Sequence, residues 1–141
     1  MAKAICKVLG VVFLLVGLLG FVSPNLLGMH LSGFHNIIHL ISAALALYFG
    51  FAASPSAART FSLLFGAIYL LLGALGFIAP GPVIELIHAR HAAGGLRSLA
   101  ADNIVHIALG AIFIIAGLAR APHVAPITTH RGPTGGAAVR G

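Results

Sequence analysis

The hydrophobic residues of this chain fall in four long blocks that short polar or Gly/Pro-bearing stretches separate. The blocks run over about residues 5–22, 34–53, 61–79 and 102–119. A helix needs roughly 17–25 apolar residues to cross a bilayer. The last block reaches that length only with Asp102, Asn103 and His106 in the headgroup region. We therefore predict four transmembrane helices and an all-α fold.

The second half of the chain repeats the pattern of the first. The first and third blocks share eight residues at the same spacing. They are Gly10, Leu14, Leu15, Gly17, Leu19, Gly20, Phe21 and Pro24 in the first copy, and Gly66, Leu70, Leu71, Gly73, Leu75, Gly76, Phe77 and Pro80 in the second. Asn36, Ile37, His39 and Ala44 recur as Asn103, Ile104, His106 and Ala111. The unit is a transmembrane hairpin present in two tandem copies. Both copies enter the membrane from the same face, which predicts a pseudo-two-fold axis along the membrane normal.

Small residues recur every seven positions within each block. The pairs are Gly10/Gly17, Ala43/Gly50, Gly66/Gly73 and Gly110/Gly117. Helices in lipid associate through close backbone approach, which small residues permit, and a seven-residue period predicts left-handed packing. The short link at 54–59 predicts that the second and third helices are antiparallel neighbours. Together these features predict an integral membrane four-helix bundle.

Composition and charge agree with a membrane location. Hydrophobic residues make up 60% of the chain and charged residues only 7%, which is too little charge to cover a soluble domain. In a four-span topology most basic residues fall on one side of the membrane: Lys3, Lys7, Arg59, Arg120, Arg131 and Arg140. The other side has Arg90 and Arg97. This asymmetry predicts a multi-pass plasma-membrane protein with both termini cytoplasmic. The net charge of +6 thus reports orientation, and no nucleic-acid motif accompanies it.

The parts outside the spans differ in character. Residues 82–92 alternate apolar and polar positions, which predicts a short helix on the bilayer surface. From residue 121 to 141, Pro, Gly, Thr and Ala dominate, which predicts a disordered cytoplasmic tail. Residues 1–120 then form one transmembrane domain.

The repeated polar element is the candidate site. Asn36 and His39 share a helical face with small residues, and Asn103 and His106 do the same in the second copy. Each pair should point into the bundle near its external end and hold the two hairpins in register. Asp102 is expected to cap the fourth helix. His35 precedes the first pair directly and belongs to the same candidate set.

Two other functions remain open from the residues. His39 and His106 could bind haem, copper or zinc on the external side, with Asp102 or Glu85 completing the ligand shell. The external side also carries His30, His35, His88 and His91. Alternatively, the chain is a subunit of an oligomeric transporter, although the span centres hold no charged residue. No nucleophile has an adjacent base, so we predict no enzyme and no resident cofactor. The expected partners are the lipid bilayer and either a second copy or another membrane protein.

The motifs resemble those of a bacterial four-span family, domain of unknown function 4383. They read LxxGLLGFxxP, NxxHxxxG, GxxYLxxGxxGF and ADNxxHxxxG in chain order. The matching positions are 17–21, Asn36, His39, Gly66, Tyr69, 73–77, 101–103, His106 and Gly110. Ala43 stands where the family pattern has a glycine. The resemblance covers about residues 5–119 and implies a four-helix membrane protein without implying an activity.

Overall fold

The computed structural model describes residues 1–26, 29–79 and 95–119. Four helices make up the fold: α1 (Ala2–Val22), α2 (Gly33–Phe51), α3 (Pro55–Ile78) and α4 (Gly95–Leu118). Among the described residues, all four helices are long and apolar enough to cross a membrane. The predicted all-helical four-span fold is confirmed. The predicted surface helix at 82–92 and the predicted tail at 121–141 lie outside the described residues.

Local sequence signals determine where the middle helices begin. The Ser32 hydroxyl accepts a hydrogen bond from the backbone N–H of His35 at 3.2 Å and so caps α2. The Ser54 hydroxyl accepts one from the backbone N–H of Ala57 at 3.2 Å and caps α3 in the same way. Pro55 follows Ser54 in the first helical turn, where its missing N–H costs nothing. Therefore α3 begins well before its apolar block, and α2 includes His35 in its first turn.

The fourth helix also begins earlier than the apolar pattern indicates. It starts at Gly95, so Asp102 lies two turns inside it. The prediction that Asp102 caps this helix is wrong. The alanines at 100 and 101 favour helix, so the helix continues on the N-terminal side of Ile104, the first residue of the apolar run.

The helices pack mainly as two hairpins, α1 with α2 and α3 with α4. A Cβ placed on Gly17 would lie 3.1 Å from the carbonyl oxygen of Asn36, and one on Gly73 would lie 2.7 Å from that of Asn103. These two contacts occupy equivalent positions of the sequence repeat. Each hairpin is thus closed by the same glycine seam, as small-residue packing in lipid requires.

At the end of the bundle that carries the α2–α3 link, one basic residue from each hairpin bonds to the end of the partner helix. Lys3 Nζ donates to the carbonyl oxygen of Ala53 at 2.9 Å, next to the end of α2. Arg59 Nε donates to the carbonyl oxygen of Gly117 at 3.1 Å, at the end of α4. Cations at a helix C-terminus satisfy free carbonyls and complement the helix dipole.

Contact between the hairpins is aromatic. Phe13 of α1 stacks on Phe113 of α4 at 6.4 Å between ring centroids and meets Phe65 of α3 edge-on at 6.1 Å. Phe13 and Phe113 are buried. The short link predicts that α2 and α3 are antiparallel neighbours, and the two helices do meet: the rings of Phe49 and Phe61 stack at 4.4 Å between centroids, and the hydroxyl oxygens of Ser42 and Tyr69 lie 3.2 Å apart. This contact is less extensive than the contact within either hairpin, because the small-residue faces of both helices are turned towards their own hairpin partners.

The connection between α1 and α2 forms a short β-ladder that the sequence pattern does not predict. The strands β1 (Asn25–Leu26) and β2 (Met29–His30) pair antiparallel, with Asn25 opposite His30. Met29 is buried and β2 contacts α4. This ladder therefore lies over the bundle at the end where α2 begins.

The outer surface of the bundle is apolar. Large hydrophobic side chains such as Leu15, Ile41, Leu64 and Ile115 are more than half exposed. A soluble monomer rarely exposes contiguous apolar patches beyond a few hundred Å². Lipid is the medium in which such a surface is stable.

Candidate functional site

Most of the buried polar side chains that the structure describes gather at the end of the bundle where α2 begins, and Ser62 lies apart from them beside Cys6. The side chains at this end include every residue of the predicted site: His35, Asn36, His39, Asp102, Asn103 and His106, each at most 8% exposed. Ser42 and Tyr69 join them from further along α2 and α3, with their hydroxyl oxygens 3.2 Å apart. Sequence reasoning left these two out because a single hydroxyl in an apolar span gives no pattern.

The two asparagines lie inside the hairpins. The Asn36 side chain of α2 fills the space beside Gly20 of α1, and the Asn103 side chain of α4 fills the space beside Gly76 of α3. Added Cβ atoms at these glycines would overlap the amides. Asn36 Oδ1 accepts no hydrogen bond from the residues that the structure describes. Each asparagine is thus placed to fix the register of its own hairpin.

The histidines form a row that joins the two hairpins. The His35 ring stacks on His39 with 4.5 Å between centroids and an angle of 18°. It also lies 6.1 Å from His106 of α4, at 15°. Phe13 stacks on His39 at 5.7 Å, and Tyr69 lies 5.3 Å from His106. The expected proximity of His39 and His106 takes the form of a row in which His35 stacks on both.

The tautomer of His106 follows from its hydrogen bond. Nδ1 lies 2.8 Å from the backbone carbonyl oxygen of Asp102, one turn earlier in α4. Because a carbonyl oxygen only accepts, Nδ1 carries the proton and Nε2 of the neutral ring keeps its lone pair. The same Nδ1 is 3.8 Å from Asp102 Oδ1. The ring is therefore held against its own helix through Nδ1.

Two histidines of the row and Asp102 beside them have the composition of a metal-binding group. One ligand atom from each of His35, Asp102 and His106 lies within 4.8 Å of the others. The sequence repeat predicts His39 and His106 as metal ligands, whereas this group contains His35 in place of His39. The signal was present in the repeat, because His35 and Asp102 open the two copies of the same element, each four residues before a histidine.

Two cavities border this centre. One of about 330 Å³ lies between α2 and α3 and is lined by His35, His39, Ser42, Tyr69 and His106 together with apolar side chains. The other, of about 150 Å³, is lined by Met29, Phe13, His39, Asp102 and His106. The polar centre is thus buried, and a cavity borders it on the α2–α3 side and another beside Met29 and Asp102.

The apolar exterior and the four long helices define a multi-pass four-helix membrane protein. Within that class, the chain belongs to the family described as Domain of unknown function (DUF4383), whose model matches residues 3–119. No curated protein and no solved structure matches the chain. The family brings no activity with it, so function has to be argued from the site.

Proposed function

We propose that this chain is a structural or accessory protein of the plasma membrane, with a role in membrane maintenance or stress and no catalytic step of its own. Its buried polar centre holds two copied hairpins together inside the bilayer. Both termini are on the cytoplasmic side. Each hairpin is pinned by one asparagine, and the two hairpins are joined by the histidine row.

The observation that carries this proposal is the placement of polar groups between the helices. His35 and His39 of α2 stack in a row that reaches His106 of α4, and Phe13 and Tyr69 are aromatic neighbours of the row. Lipid tails are as apolar as leucine, so helices gain no hydrophobic energy by leaving them for one another. Polar contacts and tight packing supply specificity instead, and this centre supplies both.

The orientation rests on the basic residues. Lys3 and Arg59 lie at the bundle end that carries the α2–α3 link, where each donates to a carbonyl at a helix end. Cytoplasmic loops are enriched in Lys and Arg. This supports a cytoplasmic link and cytoplasmic termini.

The double variant His39→Ala/His106→Ala tests the joining role. The protein is purified in detergent with a chelator present, and its thermal unfolding is followed by circular dichroism. Loss of both rings removes the contacts with His35, Phe13 and Tyr69, so we expect a lower unfolding midpoint and a loss of roughly 1–3 kcal/mol. The control is His30→Ala, whose ring bonds to Asn25 outside the row at 3.0 Å. A double variant as stable as this control would overturn the proposal.

A further inference from the structure

We infer that His35, Asp102 and His106 bind one divalent transition-metal ion of the zinc type where the two hairpins meet. His35 comes from the first hairpin and the other two from the second. Their ligand atoms lie within 4.8 Å of one another, and the three residues are between 2% and 7% exposed. This role goes beyond holding the hairpins together.

The chemistry of the three donors selects the class of ion. Two imidazole nitrogens and one carboxylate oxygen are a ligand set that proteins use for zinc and for non-haem iron. Calcium and magnesium prefer sites built from oxygen atoms alone. Three protein ligands also leave a position for water, as in zinc sites that keep an open coordination place.

The hydrogen bond of His106 prepares that ring for a metal. Histidines that bind metals almost always donate their other ring N–H to a carbonyl or carboxylate, which fixes the tautomer and the ring orientation. Here Nδ1 donates to the backbone carbonyl oxygen of Asp102 at 2.8 Å, so Nε2 carries the lone pair with which the neutral ring would bind a metal. The bond does not depend on a neighbouring hairpin, so His106 is oriented by its own helix.

The two copies of the sequence repeat carry different ligands at the same position. His35 and Asp102 occupy equivalent positions of the two copies, and the second copy replaces the imidazole with a carboxylate. A buried cation is tolerated only when it is paired or coordinated by groups that offset its charge. Asp102 supplies a negative charge where a second histidine would supply none.

A bound ion would draw the three ligand atoms closer together. Tetrahedral ligands at about 2.0–2.1 Å from zinc stand roughly 3.4 Å apart, so ligand atoms that lie within 4.8 Å of one another must approach by at most about 1.4 Å. The cavity of about 150 Å³ beside Asp102 and His106 has room for the coordinated water. A water occupies about 30 Å³ of liquid volume.

The test uses the full chain, purified in detergent without a histidine tag and stripped with a chelator. Cobalt(II) serves as a visible probe, and zinc is quantified by elemental analysis after equilibrium dialysis. We expect one tightly bound ion per chain and the intense visible bands of four-coordinate cobalt. A spectrum of the aqueous ion alone would overturn the inference, and this measurement needs no variant.

Variants then assign the ligands. Asp102→Asn and His106→Gln keep size and polarity, and each should weaken zinc binding at least about 100-fold. His39→Ala is the matched control, because His39 is buried in the same row yet lies outside the three-residue ligand group. It should keep the ion. Each variant is first shown to be folded by its helicity and its elution volume in size-exclusion chromatography. If a variant fails to fold, the cobalt spectrum of the wild-type protein alone decides if the chain binds the ion.

The outcomes separate this inference from the structural role. Zinc retained at full affinity by folded Asp102→Asn and His106→Gln would place the ion elsewhere in the chain and overturn the assignment. Zinc lost from His39→Ala as fully as from His106→Gln would also overturn it. The stability test above is made in chelator, so either proposal can fail without the other.

Discussion

At the residue scale, Gly20 and Gly76 show how a missing side chain positions a polar one. Each glycine leaves the space that an asparagine amide of the partner helix occupies, Asn36 in one hairpin and Asn103 in the other. A Cβ at either position would overlap the amide. Because the contact is the same in both copies, the glycine and the asparagine act as one unit of the repeated design.

Gly20→Ala should therefore destabilise the protein. The added methyl group must displace the Asn36 amide within a packed interface, and overpacking of this kind costs about 1–3 kcal/mol. Thermal unfolding in detergent measures the effect. Gly33→Ala is the matched control, because its Cβ would meet no atom within 4 Å. Equal midpoints for the two variants would show that Asn36 does not need the space beside Gly20.

The sequence indicated the six polar members of the site, including His35, but not that His35 lies at its centre. The repeated Asn-x-x-His spacing is enough to predict that Asn36, His39, Asn103 and His106 share inward faces. It does not show which rings meet, because that depends on how the two hairpins sit against each other. His35 stacks on both other rings of the row, and its place in the first turn of α2 depends on the Ser32 cap.

At the element scale, hydropathy locates the helices but not their ends. α3 begins at Pro55 and not at residue 61, because Ser54 caps it while Ser56 and Arg59 lower the apolar score of its first turns. The short ladder of β1 and β2 was missed since two-residue strands leave no periodicity. The short link is enough to predict that α2 and α3 are neighbours, but it does not show that each of them packs more extensively against its own hairpin partner.

The direction of the helices across the membrane can be tested with reporters. A reporter that is active only in the cytoplasm should work when fused at Gly141, and one active only outside should work when inserted between α3 and α4. The reason is the excess of Lys and Arg at the link end. Replacing Lys3, Lys7 and Arg59 with glutamine should weaken this bias. An externally active reporter at Gly141 in the unchanged chain would contradict cytoplasmic termini.

At the scale of the whole molecule, two hairpins that are each closed by glycine and asparagine meet through aromatic rings and histidines. Equivalent contacts in the two halves, such as Gly17 with Asn36 and Gly73 with Asn103, agree with a duplicated unit. The pseudo-two-fold axis along the membrane normal stays a prediction. Contacts within each hairpin are more extensive than contacts between the hairpins. The interactions that join the two hairpins therefore decide the stability of the whole bundle.

A double-mutant cycle across the hairpins tests these joining interactions most directly. The free energy of unfolding is measured in chelator for His35→Ala, His106→Ala and the pair, with His30→Ala and His106→Ala as the control cycle. We expect a coupling of roughly 0.5–2 kcal/mol between His35 and His106, because their rings stack across the junction. The control cycle should give additive losses. Additivity of His35 and His106 as well would contradict a bundle held together by its histidine row.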